Sequence, residues 1–285
     1  MPAGPDGKKQ DVGVAIGAAA ADEMIASRVD DGRFDPAYVY DKPAGPGVWQ
    51  PATGGVMALA WLGYVEPVVD VEPVVLDGPD PITSAAYALD YDEVLAVGNV
   101  GSEVREDDQT AIAQFFAANP VFMYRTAVCD VLEAEPLGLL PTTRLFARID
   151  AAVVTSFIAS WRLKYEVGFW RPFQAIAGAG SDGNPATVPQ EDWVPLVTNP
   201  PYSDYTSGHA NATSPFAQVL RRTLGDDTAL VLEAGDVTRS YDTLTELEYD
   251  ALNARIWGGL HFRDAMDDGY YLGHTTADRV MAAIH

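Results

Sequence analysis

Apolar side chains recur at every third or fourth position between 143 and 165, where Leu145, Phe146, Ile149, Val153, Phe157 and Trp161 fall on one face of a helix. Lys164 continues that stripe one turn beyond Trp161. The same period predicts a helix over 13–29, stopped by Asp30-Asp31-Gly32, and others over 84–100, 107–119 and 121–135. Asp107 and Asp108 suit the positive end of a helix N-terminus. Pro136 and Pro141 bracket a turn before the long helix. Further helices are expected from Ser207 to about Leu224, from Thr243 to about Leu260, and from about Gly269 to Ala283. Between 35 and 81 the periodicity gives way to a Pro/Gly-rich stretch with short apolar runs, and Trp49, Trp61 and Tyr64 are the residues to anchor it. An irregular stretch this long is more often functional or packing decoration than a linker. Residues 178–204, with Gly183-Asn184-Pro185 and Pro200-Pro201, read as a loop. The chain carries no alternating strand pattern of any length, no repeat and no low-complexity tail. The expectation is all-α: a single helical domain over 1–285 with long Pro/Gly-rich connections.

Composition narrows the picture. The 285 residues are 48% hydrophobic and 21% charged, a folded rather than a disordered profile. The formal net charge of −23 argues against non-specific binding to nucleic acid or anionic lipid. Asp outnumbers Glu 28 to 13, and only Lys8, Lys9, Lys42 and Lys164 are lysines. That balance suits either a protein kept hydrated in concentrated salt or simply an acidic soluble one. The single cysteine, Cys129, excludes an intrachain disulfide framework, a Cys-rich zinc site and C-x-x-C-H haem attachment. Met1 to Gln10 is polar and does not read as a signal peptide, so the expectation is a cytoplasmic protein or one exported with a leader outside this chain. The longest uncharged run, Pro43 to Val65, is broken by three prolines and five glycines, so no membrane span is expected. The apolar-aromatic N-terminal stretch offers an interface for a homo-oligomer.

Three segments concentrate cations and histidines among apolar neighbours: Lys164 to Pro172, Ser207-Gly208-His209, and Arg255 to His261. Each has a plain structural explanation. Lys164 can snorkel off its stripe, Arg171 can cap a helix end, Ser207 can be an ordinary N-cap, and His261 can be structural. His274 and His285 lack such surroundings and read as structural or exposed. Together the segments supply Lys164, Arg171 and Arg255, a hydroxyl and free N–H groups at Ser207-Gly208, and two histidines. That inventory suits a tetrahedral or trigonal-bipyramidal oxyanion. One histidine can bind or attack the central atom while the other moves a proton at the opposite face.

The order Lys-x6-Arg-Pro, Ser-Gly-His, Arg-x5-His resembles the signature of the vanadium-dependent haloperoxidase and type 2 phosphatidic acid phosphatase superfamily. Phe169-Trp170-Arg171-Pro172, Gly183-Asn184-Pro185-Ala186-Thr187, Trp193-Val194-Pro195-Leu196, the run Ile256 to Arg263 and Gly47-Val48-Trp49-Gln50-Pro51 look like its bacterial haloperoxidase-related branch. The resemblance implies the helical bundle of that superfamily, with 143–285 as the anion-site core. By position, Lys164, Arg171, Ser207, Gly208 and Arg255 would hold the oxygens of vanadate, or of phosphate in the same site. His261 would be the axial metal ligand, or the nucleophile in a phosphatase, and His209 the acid–base residue. Lys164 would also assist catalysis by hydrogen bonding to the activated oxygen. Trp161 and Tyr202 would shape a halide pocket, or else be ordinary aromatic packing. Thr206 stands where the family usually has proline, and Ala254 where serine is common before the arginine. Phosphatases often place Asp four residues after the last histidine; Ala265 is found there, which leans toward the peroxidases. Relatives usually carry further helical sequence before this chain's start, so a truncated or streamlined member is expected. The implied activity is oxidation of halide by hydrogen peroxide to a hypohalous species, followed by halogenation of a small organic acceptor. A soluble acid phosphatase is the alternative, and an inactive oxyanion-binding relative the third reading.

Overall fold

The computed structural model describes residues 7–284. His285 and the first six residues of the polar Met1–Gln10 stretch lie outside them. Helices dominate: α1 (Lys8–Ser27), α2 (Ala85–Val97), α3 (Asp107–Phe115), α4 (Pro120–Ala134), α5 (Leu139–Val167), α6 (Pro172–Gly178), α7 (Ala210–Thr223), α8 (Leu244–Trp257) and α9 (Arg263–Ala283). Short 3-10 turns occur at Ala60–Tyr64 and Ala179–Ser181. Among the described residues no helix is long and apolar enough to cross a membrane.

Several expectations need correction. A β-hairpin, β1 (Leu230–Ala234) and β2 (Val237–Tyr241), interrupts the helices. Its alternation is real but short: Leu230 and Leu232 are buried while Val231 and Glu233 face out, and Gly235 turns the chain at φ +62°. Pro141 does not bracket a turn, because α5 starts at Leu139 and proline is tolerated in a first turn, where no intrahelical N–H bond is lost. Helix α6 was not anticipated, although Pro172 at its first position and Gln174 two residues later are start signals. Helix α9 starts at Arg263, six residues before the Gly269 expected from the pattern. Ser207 is not the N-cap of α7, since the helix starts at Ala210 and His209 precedes it.

The central packing is α5, α7 and α9. Gly269 and Gly273 let α9 approach α7 closely: a Cβ at Gly269 would lie 2.7 Å from Ala210 Cβ, and one at Gly273 would collide with Ser214 Oγ. The core around them joins Phe116, Tyr124, Leu145, Ile149, Phe216 and Leu220 to the hairpin and α8. A second core, with Tyr87, Tyr91, Trp170, Ile176 and Phe262, seats α2 and α6 beside the end of α8. Of the three residues expected to anchor the irregular 35–81 segment, Trp49 is buried beside Met57 and Ala60, while Trp61 and Tyr64 are half-buried, the first against Phe34 and the second against Tyr165 of α5. The segment also braces the first cationic segment. Val48 and Phe169 form an antiparallel bridge, Trp49 N–H donates to Gly168 O at 2.8 Å, and Trp170 N–H donates to Gly47 O at 3.0 Å. Helix α1 buries no residue.

A carboxylate cluster joins α2 to the start of α9. Asp264 N–H donates to Asp90 Oδ2 at 2.8 Å, and Asp80 N–H to Asp264 Oδ2 at 3.2 Å. Burial first, then neighbouring carboxylates, pushes Asp90 up to about 6 and Asp264 up to about 7. Groups with raised carboxyl pKa hold protons in the folded state that the unfolded chain releases. Their stabilising contribution is full below the ordinary carboxylate range and is lost as pH rises through about 7. The thermal midpoint should therefore rise when pH is lowered from 8 to about 5.5. Asp264→Asn, which keeps the acceptor for Asp80, should flatten that slope and raise the midpoint at pH 8. An Asp264→Asn variant with the parental pH slope would remove this explanation.

Candidate active site

The site begins where α5 ends. Gly168 closes the helix in the left-handed region at φ +65°, its N–H donating to Lys164 O. A side chain there would strike Tyr40, so glycine serves both the turn and the brace. Lys164, one turn earlier, is fully buried, so it does not snorkel to solvent. Its Nζ donates to Ser203 O and Asp204 O, both at 2.9 Å, and Ser203 Oγ returns a bond to Lys164 O at 2.7 Å. Arg171 is also fully buried and does not cap α5. Its Nε donates to Tyr202 O at 2.8 Å and its Nη1 to Leu260 O at 2.8 Å, so it pins the 200–206 loop to the residue before His261. Arg255, on the last turn of α8, donates from Nη1 to Phe116 O at 2.8 Å.

Ser207 and Gly208 are held from below. Ser207 N–H donates to Ala265 O at 2.9 Å, and a buried network of Ser156, Ser160, Thr206 and Asn211 fastens the segment to α5. Gly208 faces Trp161: a Cβ there would come within 3.0 Å of the indole. Trp161 and Tyr202 rings pack at 5.2 Å, and Lys164 Nζ lies 5.7 Å and 5.0 Å from their centres. The two aromatics named from sequence thus stand beside the cations.

His261 is buried, and its Nε2 lies 3.2 Å from Arg171 Nη1. A guanidinium only donates, so Nε2 accepts, and the single ring proton of the neutral imidazole sits on Nδ1. Nδ1 is 2.8 Å from Asp204 Oδ1, though the approach is too bent for an aligned hydrogen bond. His209 is half-buried on a cavity wall and donates from Nε2 to Ala118 O over a long 3.4 Å.

Electrostatics bind these groups into one unit. Burial, with repulsion from Arg171 and Arg255, holds Lys164 well below the usual lysine range. Arg255 is pushed down to about 10, by burial above all. Both histidines are held well below their ordinary value, by burial first and then by the neighbouring guanidiniums. Burial pushes Asp204 up to about 8 against the pull of Arg171 and Lys164. Excess positive potential in a dry site favours an anion. Donors are also left over: Arg171 Nη2 and Arg255 Nε are buried without an acceptor in the protein. Unspent buried donors are costly unless a guest accepts from them, and two guanidiniums, an ammonium and a hydroxyl fit vanadate or phosphate. Among the described residues no group of three or more His, Cys, Asp or Glu could hold a metal cation.

Asp204 escaped the sequence reading, because one carboxylate three residues before Ser207 has no local signature. The main-chain carbonyls of Phe116, Tyr202, Ser203 and Leu260 escaped it too. All nine residues named beforehand, Trp161, Lys164, Arg171, Tyr202, Ser207, Gly208, His209, Arg255 and His261, come together around one cavity and the cations beneath it.

The VCPO second helical-bundle domain matches residues 144–285. The vanadium chloroperoxidase of Curvularia inaequalis is 34% identical over 88 residues, 28% of this chain and 14% of that protein. A bacterial vanadium-dependent iodoperoxidase superposes with a TM-score of 0.69 at 23% identity, over 86% of this chain and 62% of its own. An apo-type bacterial vanadium-dependent chloroperoxidase gives 0.68 at 17% identity, over 90% and 66%. At these identities the superpositions speak for the fold, and the chain spans less than two-thirds of either structure's length. With that domain and the three motifs in order, the chain belongs to the vanadium-dependent haloperoxidase and type 2 phosphatidic acid phosphatase superfamily, in its haloperoxidase-related branch.

Proposed function

We propose that this protein is a vanadate-dependent haloperoxidase that oxidises halide with hydrogen peroxide to a hypohalous species. The observation that carries the proposal is the buried cradle of Lys164, Arg171 and Arg255 with Arg171 Nη2 and Arg255 Nε unspent, set against the acceptor nitrogen of His261. Bound vanadate supplies a Lewis-acidic centre that activates peroxide without changing oxidation state. Lys164, Arg171, Arg255, Ser207 and the Gly208 N–H would hold its oxygens, and His261 Nε2 would be its protein ligand. The contact from Arg171 Nη1 to Nε2 leaves the ring proton of His261 on Nδ1, 2.8 Å from Asp204 Oδ1, so Nε2 carries the lone pair. His209 uses Nε2–H on Ala118 O, so its Nδ1 is the position that accepts a proton from incoming peroxide. Trp161 and Tyr202, whose rings lie beside Lys164 Nζ, would shape the halide pocket.

A second reading, a soluble acid phosphatase, is favoured by the same feature of His261, since an unprotonated imidazole nitrogen beside buried cations is also a nucleophile. One pair of assays separates the two. Protein loaded with orthovanadate is given bromide, peroxide and phenol red, and vanadate-free protein is given p-nitrophenyl phosphate. Bromination that disappears when vanadate is removed is expected. Phosphate release without bromination would transfer the assignment to the phosphatase.

A further inference from the structure

The carboxylate cluster at the start of α9 sits on the element that carries the anion site. Asp264 is the second residue of α9, and His261 lies just ahead of the helix. Ala265, the next residue, accepts from Ser207 N–H at 2.9 Å. One turn further on, Asp268 accepts from Tyr205 O–H, two residues before Ser207. A Cβ at Gly269 would come within 3.5 Å of Ser207 O, so the 205–208 turn lies directly on this helix. The start of α9 therefore carries His261 in sequence and the Ser207-Gly208 turn by contact.

What fixes that start is a pair of carboxylates. Asp264 is tied in two directions: its N–H donates to Asp90 on α2, and its Oδ2 accepts from Asp80 N–H in the irregular segment. Asp80, Asp90, Asp204, Tyr205 and Asp264 line one cleft of about 10 Å³, room for one water at most. So little solvent screens poorly. Asp267 and Asp268 on α9, Glu93 on α2 and Asp77 in the irregular segment add to the negative field. Arg263, the cation beside them, is taken by Glu93 at 2.6 and 2.8 Å. Lys164 and Arg171 act on Asp204, on the anion-site side of the cleft. Burial holds the carboxyls of Asp90 and Asp264 up at about 6 and about 7, so the contact between α2 and α9 sheds its protons close to neutrality. Like charges then face each other across it.

We propose that Asp264 is a positioning residue for the oxyanion site: by clasping the start of α9 to α2 and to the irregular segment, it sets the pose of Ser207 and Gly208, and with it the affinity for the anion. The inference rests on the oxyanion site common to the haloperoxidase and phosphatase readings and on neither turnover. With the clasp closed, Ala265 O meets Ser207 N–H, and the turn presents its hydroxyl and its free N–H groups to the guest. As pH rises through about 7, repulsion among Asp80, Asp90 and Asp264 loosens the clasp and affinity falls. The coupling runs through one residue, since Asp264 and Ala265 are adjacent in the first turn of α9.

The test uses inorganic phosphate as the probe, with affinity for the full chain measured by calorimetry at about pH 5.5 and about pH 8. Dividing each variant's affinity by the parent's cancels the ionisation of phosphate itself. Asp264→Asn keeps an acceptor for Asp80 without the charge. It is expected to match the parent at the lower pH and to bind at least about fivefold tighter at the higher, the low end of coupling between sites. Asp264→Ala drops charge and acceptor together, and is expected to bind at least about fivefold more weakly than Asp264→Asn at both pH values. Asp130→Asn removes the same charge from the exposed face of α4 and is expected to track the parent. A ratio for Asp264→Asn that does not change with pH would overturn the proposal. Equal binding by the Asn and Ala variants would overturn it too, because charge alone would then explain the gain. Either result leaves the oxyanion site standing as long as the parent binds phosphate. Absence of phosphate binding in the parent and in every variant would remove the site and the inference together.

Discussion

His261→Ala is expected to lower vanadate-dependent bromination by roughly 10³-fold or more, the scale on which loss of a catalytic group is felt. The side chain is 1% exposed, so no solvent group takes its place. Its Nε2 is unprotonated at neutral pH for two independent reasons. It accepts from Arg171 Nη1, and burial together with three nearby cations holds its pKa well below the ordinary value. A nitrogen in that state is a ligand or a nucleophile without first losing a proton. Alanine removes the lone pair and leaves the cations, so oxyanion affinity falls less than turnover. The check pairs the bromination rate with vanadate affinity from equilibrium dialysis, and uses circular dichroism to confirm folding. His274→Ala is the control, since His274 contacts Glu248 instead. Parental bromination by His261→Ala would end the assignment of this residue as the vanadate ligand.

The long helices and the cationic motifs were legible in the sequence because both are written in local spacing. The stripe from Leu145 to Trp161 needs only a period of 3.6, and it delivers Lys164 to the right end of α5. Arg171 and His261 follow glycines that end helices, so their neighbourhoods could be named even though their partners could not. What escaped was non-local or too short to carry a period. The hairpin has five residues per strand, and its two buried leucines are too few to separate alternation from chance. Gly269 and Gly273 argue against a continuous helix by propensity, yet they are where α7 and α9 touch, so packing overrides propensity. The partners of the cations are main-chain carbonyls, which every residue has, so no side-chain pattern announces them. Asp204 belongs to this class: its role exists only once the 200–206 loop is stitched to α5 and brought beneath His261.

Arg255→Ala is expected to weaken vanadate and phosphate binding by about 2–4 kcal/mol, the cost of truncating one partner of a buried charge-assisted contact. That corresponds to roughly 30- to 1000-fold in affinity. Arg255 is the cleanest of the three cations to test. Arg171 ties two carbonyls together and Lys164 another two, so their removal also loosens the loop. Arg255 has one protein acceptor, Phe116 O, and an unspent Nε. With its pKa at about 10 it is charged at neutral pH even before an anion arrives. Losing the bond to Phe116 costs about 1–3 kcal/mol of stability, which denaturant unfolding measures separately from affinity. Arg255→Lys divides the effect further. It keeps the charge but loses the planar fork, so affinity between the parent and the alanine variant is expected if hydrogen-bond geometry matters beyond charge. Titration of vanadate into the apoprotein, read by recovered bromination, and phosphate competition against it give both constants. Unchanged affinity in Arg255→Ala would mean that the anion is held elsewhere in the cavity, and the cradle would have to be rebuilt around Lys164 and Arg171 alone.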